Sequence, residues 1–300
     1  MSLNNISADH EDVFLMERFS NYLSSKIVPY RASIIKLILF SISALLIIGI
    51  VALKVANKSV YWRLIMEDGP IEYLTSLVYF FSFLVSLSIA IQFHRQKQQL
   101  YSILYLFLSI GFLFICLEEI SWGQRIFGVQ SPDFFKAHNR QNEINLHNFA
   151  RGDFLHGSYI LVGAYGAFAF LLIPKKITMQ FNRIIDLFVP KWYLILYFLP
   201  IFILYLYYDY LSPVLITLFG EQFGWERGKG FQRFIIGKDQ EPVELILSIG
   251  FLLFVIINKY NQTLGKFDFS SKGTRSKSRR YYRKGTSYPP KRIGEKKSEL

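Results

Sequence analysis

The chain has 300 residues, of which 52% are hydrophobic and 19% charged. This apolar composition argues against a water-soluble protein. The apolar residues form six blocks, each long enough or nearly long enough to span a membrane. Residues 259–300 hold 13 basic and 3 acidic side chains, so most of the net charge of +12 lies in one tail and does not indicate a nucleic-acid-binding core. The single cysteine, Cys116, excludes an intrachain disulfide.

The six apolar blocks predict an all-α, polytopic membrane helix bundle with about six transmembrane helices. Their uncharged cores run over residues 37–53, 73–93, 100–117, 157–174, 192–208 and 245–258. Since the last core is short, we expect its helix to extend back through Glu244, with Lys259 snorkelling at the other end. Residues 210–219 are apolar but contain Ser212-Pro213, so this stretch could lie in the interface or re-enter the membrane.

Basic residues flank the spans on one side of the predicted bundle, and the positive-inside rule places that side, with both termini, in the cytoplasm. The expected organisation is a cytoplasmic amphipathic segment over 1–33, a six-helix domain over 34–258 and a disordered basic tail over 259–300. The outer loops are 54–70, 120–155 and 209–242. We expect the tail to contact anionic headgroups of the lipid bilayer, while nucleic-acid binding is the weaker alternative.

Acidic side chains gather at the predicted outer ends of several spans. Ionisable groups at membrane depth are costly, so they usually face a bundle interior or a wet cavity. One interpretation is an outer site ringed by carboxylates; the other is a set of interfacial charges that form no site. The polar residues concerned are Glu67, Asp68, Glu72, Glu118, Glu119, His156, Asp209, Glu241 and Glu244.

Two of these acids belong to similar tripeptides, Pro70-Ile71-Glu72 and Pro242-Val243-Glu244. Proline and glutamate both suit the first turn of a helix, which is a sufficient structural explanation for each tripeptide. The functional alternative is that Glu72 and Glu244 face each other across the bundle as paired ligands.

Residues 117–149 form the stretch that is richest in polar side chains. If the third helix continues past Leu117, then Glu118, Ser121, Trp122 and Arg125 fall on one stripe. Adjacent carboxylates can form a general acid/base pair or a cation site, and the alternative is that Arg125 simply neutralises Glu118. The following loop is dense in amides and imidazoles. We therefore expect it to form directional hydrogen bonds.

These residues define the candidate site. The expected catalytic residues are Glu118, Glu119 and His147. His147 with a carboxylate is a ligand combination suited to Zn²⁺, Mn²⁺ or Fe²⁺, although no HExxH or CxxC motif is present. The candidate ligands for such a divalent metal ion are Glu72, Glu118, Glu119, His147 and Glu244. The expected substrate-binding residues are Ser121, Trp122, Gln124, Arg125, Arg140, Asn145 and Asn148.

The segment EEISWGQR at 118–125 and the downstream NLHN at 145–148 resemble motifs in a group of uncharacterised multi-pass bacterial membrane proteins. The resemblance covers mainly residues 67–156. It implies a setting in a bacterial inner (plasma) membrane and says nothing about reaction type.

Three functions are compatible with these patterns. The first is an intramembrane enzyme that hydrolyses, or transfers a group of, a lipid or lipid-linked substrate at an extracytoplasmic-facing site. There, Arg125 and Arg140 would clamp a phosphate or carboxylate. The second is a proton- or cation-coupled transporter, against which stands the lack of charge near the middle of any span. The third is a non-catalytic scaffold or assembly protein.

Overall fold

A computed structural model describes residues 33–66, 68–124, 126–138, 144–145, 152–173, 179–223 and 237–264. Within these ranges the chain is mostly helical and contains no strand, because its long apolar runs satisfy their backbone hydrogen bonds within each helix. The helices are α1 (Ser33–Ala56), α2 (Lys58–Ile65), α3 (Pro70–Arg95), α4 (Gln99–Glu119), α5 (Asp133–His138), α6 (Gly152–Phe168), α7 (Met179–Phe188), α8 (Ile195–Leu206), α9 (Ser212–Phe223) and α10 (Gln240–Thr263).

Six stretches of the described chain are long and apolar enough to cross a membrane, which confirms the predicted all-α, six-span class. They are Ser33–Ala56, Pro70–Arg95, Gln99–Glu119, Phe154–Leu172, Ile184–Leu218 and Gln240–Thr263. The last begins before Glu244, as its short uncharged core predicted. Lys259 was expected to extend toward the membrane surface. Its ammonium instead donates a hydrogen bond to Gln92 Oε1 on α3 at 3.0 Å.

The chain after the fifth apolar block differs from the expected interruption at Ser212-Pro213. A π-helical turn at Tyr207–Leu211 connects α8 directly to α9, and Pro213 lies in the first turn of α9. Proline is tolerated there because the first helical N–H groups have no intrahelical acceptor. The first expected outer loop also differs, since it contains α2.

Small polar side chains hold α3 against α4 in an antiparallel hairpin. Ser76 donates to the Cys116 carbonyl at 2.8 Å, Ser109 to the Phe83 carbonyl at 3.2 Å, and Ser102 to the Ala90 carbonyl at 2.9 Å. Serine occupies little space and offers a donor in a medium without water, so it allows two membrane helices to approach closely. This hairpin brings the start of α3 and the end of α4 to the same end of the bundle.

Glycines allow α6 and α10 to approach α8. A Cβ built at Gly166 would lie 2.1 Å from Phe198 Cδ1, and one built at Gly250 would lie 2.7 Å from Tyr197 Cβ. Both glycines lie in membrane-spanning helices, where small residues permit close packing. The packing of α6 and α10 against α8 therefore depends on the absence of side chains at these two glycines.

At the opposite end from the start of α3, one buried amide joins three helices. Asn258 Nδ2 donates to the Tyr105 hydroxyl at 2.8 Å and to the Leu187 carbonyl at 3.0 Å. Tyr105 in turn donates to the same carbonyl at 2.9 Å. Since an unpaired amide costs several kcal/mol in hydrocarbon, this bonding fixes α4, α7 and α10 in register.

A charged contact joins the first two helices to the turn before α10. The Lys54 ammonium binds the Asp239 carboxylate, and the Tyr61 hydroxyl donates to Asp239 Oδ1 at 2.5 Å. Burial, together with this hydrogen bond, raises the pKa of Tyr61, so its hydroxyl stays a neutral donor at physiological pH. The predicted amphipathic segment before residue 33 and nearly all of the basic tail lie outside the described residues.

We expect Gly166→Val to lower the thermal unfolding midpoint and the yield of monodisperse protein in detergent. The added side chain overlaps Phe198, and overpacking a close contact costs roughly 1–3 kcal/mol. Gly157→Val on the same helix is the matched control, because a Cβ there meets nothing within 4 Å. Equal midpoints for the two variants would contradict close packing of α6 against α8.

Candidate functional site

A cavity of about 340 Å³ opens at the end of the bundle where α3 and α10 begin and α4 ends; we call it the carboxylate cavity. Its size lies within the range of small-molecule binding pockets. Its carboxylates are Glu72, Glu118, Glu119, Glu241 and Glu244. The remaining lining residues are Phe114, Ile115, Phe154, Leu155, Tyr159 and Gln240.

The antiparallel course of the spans brings these acids together. Glu72 lies in the first turn of α3, Glu118 and Glu119 in the last turn of α4, and Glu244 in the second turn of α10. Charges at helix ends are ordinary, but here three helices direct them to one cavity. The convergence predicted from the sequence is therefore present, while the chemical roles assigned to these residues stay predictions.

Glu244 is a buried acid that lies beside two tyrosines. Its side chain is 8% exposed, and the Tyr205 hydroxyl lies 3.4 Å from its Oε1. Tyr159 is its second hydrogen-bond donor. The two tyrosine rings stack with centroids 4.9 Å apart and planes 4° apart, so they present their hydroxyls to the carboxylate as a pair.

Glu119 lines the same cavity as Glu244 and makes no hydrogen bond to another described side chain. Its strongest charge interaction is with Glu244, and Glu241, Glu72 and Glu118 add to it. All of these neighbours are carboxyl groups, so like-charged side chains lie near Glu119. A carboxyl without a fixed donor beside a second carboxyl is suited to exchanging a proton with a bound molecule.

Glu118 is 5% exposed and accepts a hydrogen bond from Trp122 Nε1 at 2.6 Å. The predicted continuation of α4 as one helical stripe through Arg125 is wrong, because α4 ends at Glu119 and the chain turns at Ser121, Trp122 and Gly123. These three residues have φ values of 46°, 55° and 75°. Positive φ is sterically unfavourable for residues with a side chain, so this turn stores strain while it directs the indole back to Glu118.

Glu72 has a structural partner at the start of its own helix. Its Oε2 accepts the Asp68 backbone N–H at 2.6 Å, which satisfies a donor that the helix leaves unpaired. Glu244, in the similar tripeptide of α10, accepts from tyrosines of α6 and α8 instead. The two tripeptides thus begin alike in sequence but place their glutamates in different environments.

A contact between a histidine and an aspartate lies next to Tyr205. His156 Nδ1 is 2.9 Å from Asp209 Oδ1, and the His156 ring centroid is 4.6 Å from that of Tyr205. The sequence named His156 and Asp209 as outer polar residues but did not include them in the site. Through Tyr205 they lie next to Glu244, so they form a polar arm leading away from the carboxylate cavity.

Three of the predicted substrate-binding residues hydrogen-bond within their own loop. Gln124 Nε2 donates to Ser131 Oγ at 2.7 Å, and Gln124 Oε1 accepts from the Ile144 backbone N–H at 2.7 Å. Asn145 Nδ2 lies 3.4 Å from Ser121 Oγ. Ser121, Gln124 and Asn145 therefore hold the loop together and do not line the carboxylate cavity. Arg125, Arg140, His147 and Asn148 lie outside the described residues.

The predicted metal ligands that the structure describes do not form a coordination set. Among the described residues, no three His, Cys, Asp or Glu side chains converge closely enough to hold a metal ion. Glu72, Glu118, Glu119 and Glu244 share the cavity wall but are spread around it. The predicted ligation by His147 stays a prediction.

The sequence did not single out Tyr159, Tyr205 and Gln240, although all three lie at or beside the cavity. A signal was present for the tyrosines, since Tyr159 is three residues after His156 and Tyr205 four residues before Asp209. Each pair occupies one helical face. Tyrosine is so common in this chain, with 19 copies, that spacing alone could not distinguish these two.

We found no match to the chain among protein-family models, curated proteins or solved structures.

Proposed function

We propose that the protein is a multi-pass membrane enzyme that hydrolyses, or transfers a group of, a lipid or lipid-linked substrate. The supporting observation is the carboxylate cavity, whose acidic groups lie beside an aromatic wall at the end of a membrane-spanning bundle. Phe154 is 74% exposed and Phe114 is 42% exposed, so this wall is accessible from outside the bundle. A substrate could enter from the membrane plane without leaving it.

In this proposal Glu119 and Glu244 are the acid/base pair. One carboxylate takes a proton from the attacking water or alcohol as its oxygen bonds to the acyl carbon or phosphorus. The other, in its protonated form, gives a proton to the leaving oxygen as that bond breaks. The mechanism requires one of the two carboxyls to hold a proton while the other is ionised, which supplies one acid and one base. Tyr159 and Tyr205 orient Glu244, and Trp122 orients Glu118.

A proton-coupled carrier is the second candidate, and the polar arm favours it. Glu244, Tyr205, His156 and Asp209 form a run of ionisable groups from the cavity toward α9. Such runs serve as proton relays in pumps and transporters. The carrier predicts proton flux without conversion of any lipid, which separates it from the enzyme.

The membrane setting proposed is a bacterial inner membrane, with both termini in the cytoplasm and the carboxylate cavity in the opposite leaflet. Its support is the distribution of basic residues between spans and the resemblance of segments 118–125 and 145–148 to bacterial membrane proteins. In this orientation the basic tail after α10 lies beside anionic cytoplasmic headgroups.

We expect the purified protein, reconstituted in liposomes of bacterial total lipid extract, to deplete one lipid species and accumulate its product by mass spectrometry. Glu119→Gln and Glu244→Gln should each reduce the conversion by about 10²-fold or more, because an amide cannot exchange the proton. Asp186→Asn is the control, because Asp186 pairs with Lys191 away from the cavity. Unchanged lipids together with acidification inside the liposomes would contradict the enzyme and support the carrier.

The orientation predicts which introduced thiols react with a membrane-impermeant maleimide in spheroplasts. Cysteine at Gln130, in the exposed loop after α4, should be labelled in intact spheroplasts, whereas cysteine at Gln96, between α3 and α4, should be labelled only after lysis. The native Cys116 is 6% exposed and supplies a low background. The reverse labelling pattern would place the carboxylate cavity on the cytoplasmic side.

A further inference from the structure

Two apolar cavities continue from the carboxylate cavity along the cleft between α4 and α6. The first, of about 400 Å³, shares Ile115, Leu155 and Tyr159 with the carboxylate cavity. The second, of about 490 Å³, shares Leu108, Val162 and Phe251 with the first. The three spaces therefore follow one another along α4 and α6, and together we call them the α4–α6 groove.

The groove exists because α4 and α6 do not pack against each other along their length. Helix α4 packs on α3, helix α6 packs on α8, and α10 packs on both α3 and α8. Phe251 of α10 contacts Phe112 of α4 and Phe198 of α8 with ring centroids 5.3 Å apart in each case, and it lines both apolar cavities. Gly111 on the α4 wall leaves open space, since a Cβ there meets nothing within 4 Å.

The length and lining of the groove match a hydrocarbon chain. From Leu104 to Glu119 the α4 wall rises by about 22 Å, which exceeds the roughly 15 Å of one leaflet's hydrocarbon layer. Below the carboxylate cavity the lining is aliphatic and aromatic. At its far end lie Leu187, Phe188 and Pro190.

The two ends of the groove differ sharply in charge. One end carries the five carboxylates, with Lys238 lying 3.8 Å from Glu241 as a cation near them, and the other end is apolar. Glu119 and Glu244 interact as like charges, so a bound group that brings positive charge to them is favoured, and ammonium groups donate strong hydrogen bonds to carboxylates. Anionic headgroups would add to the repulsion.

We propose that the α4–α6 groove binds one membrane lipid that carries a primary amine in its headgroup, with the amine in the carboxylate cavity and one acyl chain along the groove. This inference rests on the proposed function, because it names the substrate class of the same site. The amine sits between Glu119 and Glu244, and the acyl chain passes Gly111 toward Leu187.

The test is photocrosslinking in nanodiscs of phosphatidylglycerol. The probe is a phosphatidylethanolamine with a diazirine midway along one acyl chain, and its matched partner is the same lipid with the amine acetylated. On the wild-type protein, the amine lipid should label peptides of α4, α6 and α10 that contain Leu108, Val162 and Phe251. The acetylated lipid should label them roughly tenfold less, because charge-assisted hydrogen bonds are lost.

Two matched variants test the groove itself. Gly111→Phe fills the groove and should reduce labelling roughly tenfold, whereas Gly49→Phe, on the exposed face of α1, should leave it unchanged. Neither new side chain clashes at its Cβ, so both proteins are expected to fold. Equal labelling by the two lipids, or no loss in Gly111→Phe, would overturn the inference. Amine-dependent labelling without lipid conversion would support the inference and contradict the proposed function.

Discussion

Mutual repulsion of carboxylates is the interaction on which the account of this molecule depends. Three helices bring Glu72, Glu118, Glu119 and Glu244 to one cavity, where the surroundings are partly apolar and screening by water is reduced. Holding like charges together costs folding free energy, so the rest of the bundle must compensate for it. The cost falls when the cavity binds a proton or a cation, which links the electrostatics directly to binding and chemistry.

The compensation comes from contacts that use small or hydrogen-bonding side chains within the spans. Serines of α3 and α4 hydrogen-bond the two helices to each other, and glycines let α6 and α10 approach α8. At the opposite end, Asn258 joins α10 to α4 and α7. Since water is absent from the hydrocarbon layer, each such contact fixes helix register as well as stability. The spans are therefore held together at both ends. Between α4 and α6, however, they leave a groove open to lipid.

Much of this architecture could be predicted from the sequence, because hydropathy specifies spans directly. Six spans, the early start of α10 and the convergence of the acids all follow from apolar length and from the alternation of spans across a membrane. The left-handed turn at Ser121 and Trp122 could not be predicted, since continuing the helical spacing also placed Trp122 beside Glu118. The partners of Glu244 were also missed. Tyr159 and Tyr205 reach it from other spans, and their spacing from His156 and Asp209 does not indicate a contact with a distant glutamate.

The same reasoning explains why the predicted site residues separated into two groups. Acids at helix ends reached the cavity because the helices carry them there rigidly. Ser121, Gln124 and Asn145 lie in an irregular segment, where polar side chains commonly satisfy nearby backbone and loop groups. An amide-rich segment thus predicts hydrogen bonding but not its partner, and here the partners are within the loop.

The most direct test of the central claim is a double-mutant cycle on thermal or denaturant unfolding with Glu119→Gln, Glu244→Gln and the double variant. If the two carboxyls share one cavity, replacing either relieves the same repulsion, so the double variant should gain less stability than the sum of the singles. We expect a coupling free energy of at least about 0.5 kcal/mol, whereas the control cycle of Glu119→Gln with Asp186→Asn should be additive within about 0.3 kcal/mol. Additive effects of the Glu119 and Glu244 substitutions would contradict a shared carboxylate cavity.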